Sequence, residues 1–264
     1  MPAYLLAGGG VDAALVVGTL FFLVPYNLLM YGVNDVFDHE SDLRNPRKGG
    51  VEGIVLDRRV HRLTLGAAAL TTLPFVVALL AMGGAVPAAV LLVVLAAVVG
   101  YSAPGLRLKE RPGLDSVTSS THFVGPAAFG LALSGAPLGL TAGISLLAFF
   151  LWGMASHAFG AVQDVGPDRM AGIGSIATVI GASATVRLAV GLYAAAGLLT
   201  LLTPWPAPLA GLLVVGYIMN IWPFRSLPDA DSERANRGWR RFLWLNVLTG
   251  FLLTQLLIWI ALTR

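Results

Sequence analysis

The sequence predicts an all-α protein, a polytopic bundle of transmembrane helices, and three observations predict it. Of 264 residues, 56% are hydrophobic and only 12% are charged, a composition outside the range of ordinary soluble domains. Apolar runs of about 20 residues, the length a helix needs to cross a bilayer, recur along the whole chain. The cationic residues collect in alternate connections between those runs. A formal net charge of +3 spread in this way orients a membrane protein and gives no footprint for nucleic acid. There is no cysteine, which excludes disulfides and thiolate chemistry.

The first span is read at 11–33. It follows PAYLLAGGG, residues 2–10, which reads as the remnant of a further helix, too short to span. No signal peptide is evident. Further spans are read at 62–82, 85–103, 116–135, 138–162, 184–203, 206–224 and 241–262, eight in all. Glycine and proline recur inside them, as membrane helices tolerate. No long linker interrupts the series, so residues 1–264 are read as a single transmembrane domain.

The connections alternate in character. Those at 34–61, 104–115, 163–183 and 225–240 are long and charged; those near 83–84, 136–137 and 204–205 are short and uncharged. Every one of the 17 Lys and Arg residues except Arg264 lies in a charged connection or at a span end facing one. The positive-inside rule then puts the charged connections on the cytoplasmic side of the cell membrane.

Two acidic clusters lie on that side. In NDVFDHESDLRNPRKGG, residues 34–50, the carboxylates Asp35, Asp38 and Asp42 fall at i, i+3 and i+7, one face of a helix. Like charges so placed repel. Carboxylate oxygens suit Mg²⁺, and with Asn34 the cluster offers up to four oxygen ligands. A solvated acidic helix end is the plainer reading. Against it stands the position beside a membrane core, where ionisable groups are costly and functional.

The second cluster is QDVGPDRMAGIGSIAT, residues 163–178, with Asp164 and Asp168 four apart. Gly166 and Pro167 between them argue against a regular helix there. Ser175 and Thr178 either hydrogen-bond a phosphate or pack between helices. Their shared side suggests that the two acidic clusters form one site for a metal-bound diphosphate. In YSAPGLRLKERPGLDS, residues 101–116, Arg107, Lys109 and Arg111 follow a span. They read either as a positive-inside flank or as partners for a departing diphosphate. Arg107 and Lys109 rank first for diphosphate, then Lys48 and Arg169, with Arg44 and Arg47 beside them. His122 and His157 lie within spans and read as hydrogen-bonded helix contacts before catalytic bases. Tyr26, Asn27, Phe123, Phe149, Phe150, Trp152 and Phe159 line a cavity or simply pack.

At these residues the chain resembles the UbiA superfamily of intramembrane prenyltransferases. The family's first motif, N-D-x-x-D-x-x-x-D, is matched by Asn34, Asp35, Asp38 and Asp42; its second, D-x-x-x-D, by Asp164 and Asp168. A middle motif of Tyr plus a basic residue is matched loosely by Tyr101, Arg107 and Lys109; where the compact form has Lys, this chain has Gly105. NDVFDHESDLRNPRKGGVEG, RLKERPGLDSVTSSTHFVGPAAFG and QDVGPDRMAGIGSIAT are most similar to the lycopene elongase branch, which makes C50 carotenoids. The family usually carries nine helices, so eight spans plus a remnant imply a truncated first helix.

The resemblance implies a mechanism. Asn34 and the five aspartates hold Mg²⁺ against the diphosphate of dimethylallyl diphosphate or another prenyl diphosphate, with Asp35, Asp38, Asp164 and Tyr101 catalytic. Arg107, Lys109, Lys48, Arg169 and Arg44 bind diphosphate. The C–O bond ionises, and a terminal double bond of lycopene or another lipophilic acceptor attacks the allylic cation. Acceptor and product exchange with membrane lipid. A quinone-precursor, chlorophyll or ether-lipid acceptor is the alternative within the superfamily. A secondary transporter would need acids near span centres and an internal repeat, and the acids here sit at span ends. The pattern of a CDP-alcohol phosphotransferase is absent.

Overall fold

The computed structural model describes residues 1–43 and 55–263. Its elements are helices joined by turns, with no strand among the described residues. The chain divides into two compact units, residues 1–108 with 125–137, and residues 109–124 with 138–264.

The first unit begins with α1 (Pro2–Leu6), α2 (Ala13–Leu23), α3 (Pro25–Phe37) and α4 (His39–Asp42). The five residues of α1 are the part of 2–10 that is helical. Asp12 caps α2 through its side chain, accepting from the Leu15 N–H at 2.9 Å. The Tyr4 hydroxyl donates to the same carboxylate at 2.6 Å and ties α1 to that cap. The span read at 11–33 is broken at Val24, because Pro25 has no N–H to donate and its ring crowds the preceding turn. Asn27 covers the break: its amide donates to the Phe22 and Leu23 carbonyls at 2.9 and 3.0 Å. In lipid such carbonyls would otherwise have no partner. The unit continues with α5 (His61–Met82) and α6 (Ala85–Ser102), and takes the second half of α7 (Leu114–Leu133). Phe21, Tyr26, Leu79, Leu91, Val94, Val98 and Phe129 form its core.

The second unit holds the first half of α7, then α8 (Leu140–Val162), α9 (Val165–Ala171), α10 (Ile176–Ile180), α11 (Ala182–Thr200), α12 (Ala210–Ile221) and α13 (Asn236–Leu262). Tyr193, Tyr217, Phe159, Phe242 and Ile221 anchor its core. Small residues let α11 and α12 approach closely. A Cβ on Gly211 would lie 2.9 Å from the Gly197 carbonyl oxygen, the contact by which membrane helices associate without a hydrophobic drive.

All eight expected spans are helical. Among the described residues, seven stretches are long and apolar enough to cross a membrane: Ala13–Phe37, Arg58–Met82, Ala85–Ser102, Leu140–Val162, Ala182–Thr200, Ala207–Phe224 and Asp229–Leu262. The remaining helix, α7, has 20 residues but is polar through its first half, with Asp115, Ser116, Thr118, Ser119, Ser120, Thr121 and His122. Helix α13 starts five residues before the expected 241: Arg237, Arg240 and Arg241 have poor hydropathy but are good helix formers.

Candidate active site

In the first unit the acidic motif ends the second half of a broken helix. Asn34 and Asp35 are in the last turns of α3, Asp38 follows its end, and Asp42 closes α4. The helical bonding runs on across the junction: the Asp38 N–H donates to the Asn34 carbonyl at 2.9 Å and the Asp42 N–H to the Asp38 carbonyl at 2.8 Å. The one-face spacing read from the sequence therefore survives the change of helix. Asp38 and Asp42 are buried, 7% and 8% exposed, while Asn34 and Asp35 are half-buried. The Ser102 hydroxyl donates to Asn34 Oδ1 at 2.9 Å, fixing that amide from the end of α6.

A cation meets these acids within the same unit. Arg107 Nη2 lies 3.9 Å from Asp38 Oδ1, a charge contact too long for a hydrogen bond. Its Nη1 donates to the Phe37 carbonyl at 3.5 Å. Arg107 has φ of +38°, left-handed backbone that a side chain rarely adopts. A residue held there against its own preference is a signature of functional sites. Tyr101 is half-buried, one residue before Ser102. Arg44, Arg47 and Lys48 lie outside the described residues.

In the second unit Asp164 occupies the cap position of α9 and Asp168 its first turn, both half-buried. The expectation that Gly166 and Pro167 argue against a regular helix is corrected: α9 runs through both. Pro167 is the third helical residue, and the N–H groups of a first turn have no intrahelical partner to lose. Gly172, at φ +71°, stops the helix in the left-handed conformation that glycine adopts at no steric cost. Arg169 is engaged locally. Its Nε and Nη2 donate to the Thr178 carbonyl at 2.9 and 2.8 Å, and its Nη1 donates to Asp229 at 2.6 Å. Asp229 in turn accepts from the Ala182 N–H at 2.7 Å. Ser175 and Thr178 bond to each other across the first turn of α10. They form a capping box, each hydroxyl accepting the other's N–H, at 3.2 and 2.7 Å. Lys109 belongs to a short 3₁₀ turn, Leu108–Glu110, and is half-buried.

Sequence reasoning passed over Asp115, Ser116 and their link to His157. Asp115 is fully buried, and its oxygens accept the Ser116 and Ile176 N–H groups, each at 2.8 Å. Ser116 Oγ pairs with His157 Nδ1 at 3.2 Å. His157 is thus a hydrogen-bonded helix contact, the plainer of its two readings. Trp152 packs at the centre of an aromatic group with Phe123, Phe149, Tyr217 and Phe242 at centroid separations of 5.6–6.4 Å.

Among the described residues no three His, Asp or Glu side chains converge into a ready-made metal cage. The donors nonetheless suit Mg²⁺, which takes one or two protein carboxylates and fills its octahedron with water and phosphate oxygens. The buried pair Asp38 and Asp42 has that chemistry, with Asn34 Oδ1 beside it on the same helical path.

The UbiA prenyltransferase family model matches residues 1–260. The chain belongs to this family. Among relatives of this UbiA protein, the C(50) beta-cyclic carotenoids biosynthesis protein of Dietzia sp. is 54% identical over 260 residues. That match covers 97% of this chain and 60% of the Dietzia protein, so the chain spans less than two thirds of that relative. The lycopene elongase/hydratase of Corynebacterium glutamicum is 50% identical over 256 residues, 97% of this chain and 89% of that protein. A UbiA homolog from Archaeoglobus fulgidus, solved bound to DMAPP and Mg²⁺, has the same fold, with a TM-score of 0.64 over 94% of this chain and 93% of that one at 16% identity. As a UbiA prenyltransferase the chain is an enzyme and an integral membrane protein.

Proposed function

We propose that this enzyme transfers a dimethylallyl group from dimethylallyl diphosphate to lycopene, the elongation step that makes C50 carotenoids, at the cytoplasmic face of the cell membrane. One observation carries the reading. A protein called lycopene elongase/hydratase is 50% identical to this chain across 97% of its length. The acidic and basic motifs support it, and so does the UbiA homolog bound to DMAPP and Mg²⁺.

Asn34, Asp35, Asp38 and Asp42 in one unit, and Asp164 and Asp168 in the other, would hold Mg²⁺. When bound, the metal neutralises charge on the leaving diphosphate. Arg107 and Lys109 take further negative charge, with Lys48 and Arg44 from the connection after Asp42. Tyr101 shares its helix end with Ser102, whose hydroxyl keeps Asn34 oriented. Bond breaking at the donor sends the electron pair out with diphosphate. The terminal alkene of lycopene then forms the new C–C bond, and the acceptor cation loses a proton or captures water. Aromatic faces such as those around Trp152 suit a transient cation in an apolar, water-poor setting.

Mass spectrometry of lycopene-producing cells tests this. Expression of the chain should add one or two five-carbon units to lycopene, and Asp38→Ala should abolish the addition. Unchanged lycopene with a membrane-inserted protein, and prenylation of a quinone precursor instead, would replace the proposed acceptor.

A further inference from the structure

We infer that Asp115 is a positioning residue. It locks the segment 109–115, which carries Lys109 and Arg111, onto the segment 172–176 that follows Asp168, so that these two cations and the acidic motif of the second unit move as one body. The inference rests on the proposed diphosphate role of these segments and adds a residue to it.

Asp115 is 0% exposed at the start of α7. Its Oδ1 accepts from the Ser116 N–H at 2.8 Å, within its own turn. Its Oδ2 accepts from the Ile176 N–H at 2.8 Å, 61 residues away, at the first residue of α10. A carboxyl buried in a membrane protein is costly unless its oxygens are satisfied. Here one oxygen secures the loop's own backbone and the other secures a different segment.

A second contact fastens the same joint. A Cβ built on Gly174 would lie 2.6 Å from the Glu110 carbonyl oxygen, so only glycine lets the two backbones approach as they do. Behind the joint, Ser116 Oγ meets His157 Nδ1 at 3.2 Å and Ser120 Oγ donates to the Phe150 carbonyl at 2.6 Å, holding the start of α7 to α8. On the far side, Arg169 grips the Thr178 carbonyl and Asp229. Helix α9, which carries Asp168, and α10 are therefore tied both to the loop bearing Lys109 and Arg111 and to the segment before α13. Diphosphate recognition needs cations and metal-binding carboxylates held at fixed separation, because misplacement of about 1 Å costs on the order of a hundredfold in rate.

Hydrogen–deuterium exchange on the intact protein in lipid nanodiscs, paired with kinetics, tests the assignment. Asp115→Ala and Gly174→Ala attack the joint from its two sides. Each should speed amide exchange at least tenfold in both 109–114 and 172–176, while α8 and α11 keep wild-type protection. Each should raise the KM for dimethylallyl diphosphate tenfold or more and leave the acceptor KM within twofold. Val117→Ala, on the exposed face of the same helix, should change neither. Faster exchange confined to 109–114, or unchanged donor KM with both segments loosened, would overturn the inference. Global loss of protection in Asp115→Ala leaves Gly174→Ala to decide by the same criteria. The exchange result does not depend on which acceptor is used, so a wrong acceptor leaves the joint confirmed or refuted by itself.

Discussion

The two units carry the same kind of acidic motif in opposite settings. In the first, Asp38 and Asp42 are buried at the end of a proline-broken helix, and Arg107 approaches Asp38 from a strained backbone position. In the second, Asp164 and Asp168 sit half-buried on a seven-residue helix whose neighbouring cation, Arg169, is hydrogen-bonded to Thr178 and Asp229. Arg107 reaches toward a carboxylate of the first motif, whereas Arg169, next in sequence to the second, is a structural clasp. A basic residue beside an acidic motif is thus no guide to its work. The direction of its donors decides.

The largest expected effect comes from the carboxylates themselves. Asp38→Ala should lower prenyl transfer about a thousandfold, the scale for losing a group that stabilises developing charge. Asp164→Ala should do the same if the half-buried motif is as essential as the buried one. Rates in isolated membranes, normalised to inserted protein, measure both. A loss below tenfold in Asp164→Ala alone would break the equivalence of the two motifs.

Next comes Arg107, where charge and strain can be separated. Arg107→Ala and Arg107→Gly both remove the cation beside Asp38 and should cost roughly a hundredfold in activity. Glycine accepts φ of +38° freely, so Arg107→Gly should unfold at a higher temperature than Arg107→Ala, by about 1 kcal/mol of stability. Equal melting temperatures would remove strain from the account.

Arg169→Ala should have a smaller effect on catalysis. It frees the Thr178 carbonyl and Asp229, and the pair is exposed enough that its ionic part contributes below about 1 kcal/mol. Proteolysis in 172–182 should accelerate, with less than tenfold loss of activity. A hundredfold loss with the segment still protected would return Arg169 to diphosphate binding.

The smallest effect is at the chain start. The Tyr4 hydroxyl and the Leu15 N–H hold the Asp12 carboxyl below its ordinary range. A lowered folded-state value means the contribution is present above the ordinary carboxylate range and fades as pH falls through the lowered value. Protection of α1 from exchange should drop only in acid, and in Tyr4→Phe it should be weaker at neutral pH too.

The membrane bundle was legible because hydropathy and charge segregate so cleanly, and each expected span is helical, though not always one unbroken helix. What the sequence concealed was local. Pro25 splits a span whose apolar run is continuous, and the repair by Asn27 depends on a side chain three-dimensionally close to two freed carbonyls. The connection 163–183 contains α9 and α10, too short for helical periodicity to register, although Ser175, Thr178 and Gly172 were available as cap signals. The aspartates announced themselves by spacing. Asp115, a lone acid with a partner 61 residues away, has no spacing to read.

The most direct test of the claim that both motifs serve one Mg²⁺-dependent step is a double-mutant cycle. Diphosphate release from dimethylallyl diphosphate would be followed in membranes bearing the wild type, Asp38→Ala, Asp164→Ala and the double variant, with Mg²⁺ and after its chelation. Groups that act as a unit are strongly non-additive. The account predicts that chelation silences the wild type and that the double variant is no worse than either single one. Losses that multiply in the double variant, or full activity after chelation, would contradict it.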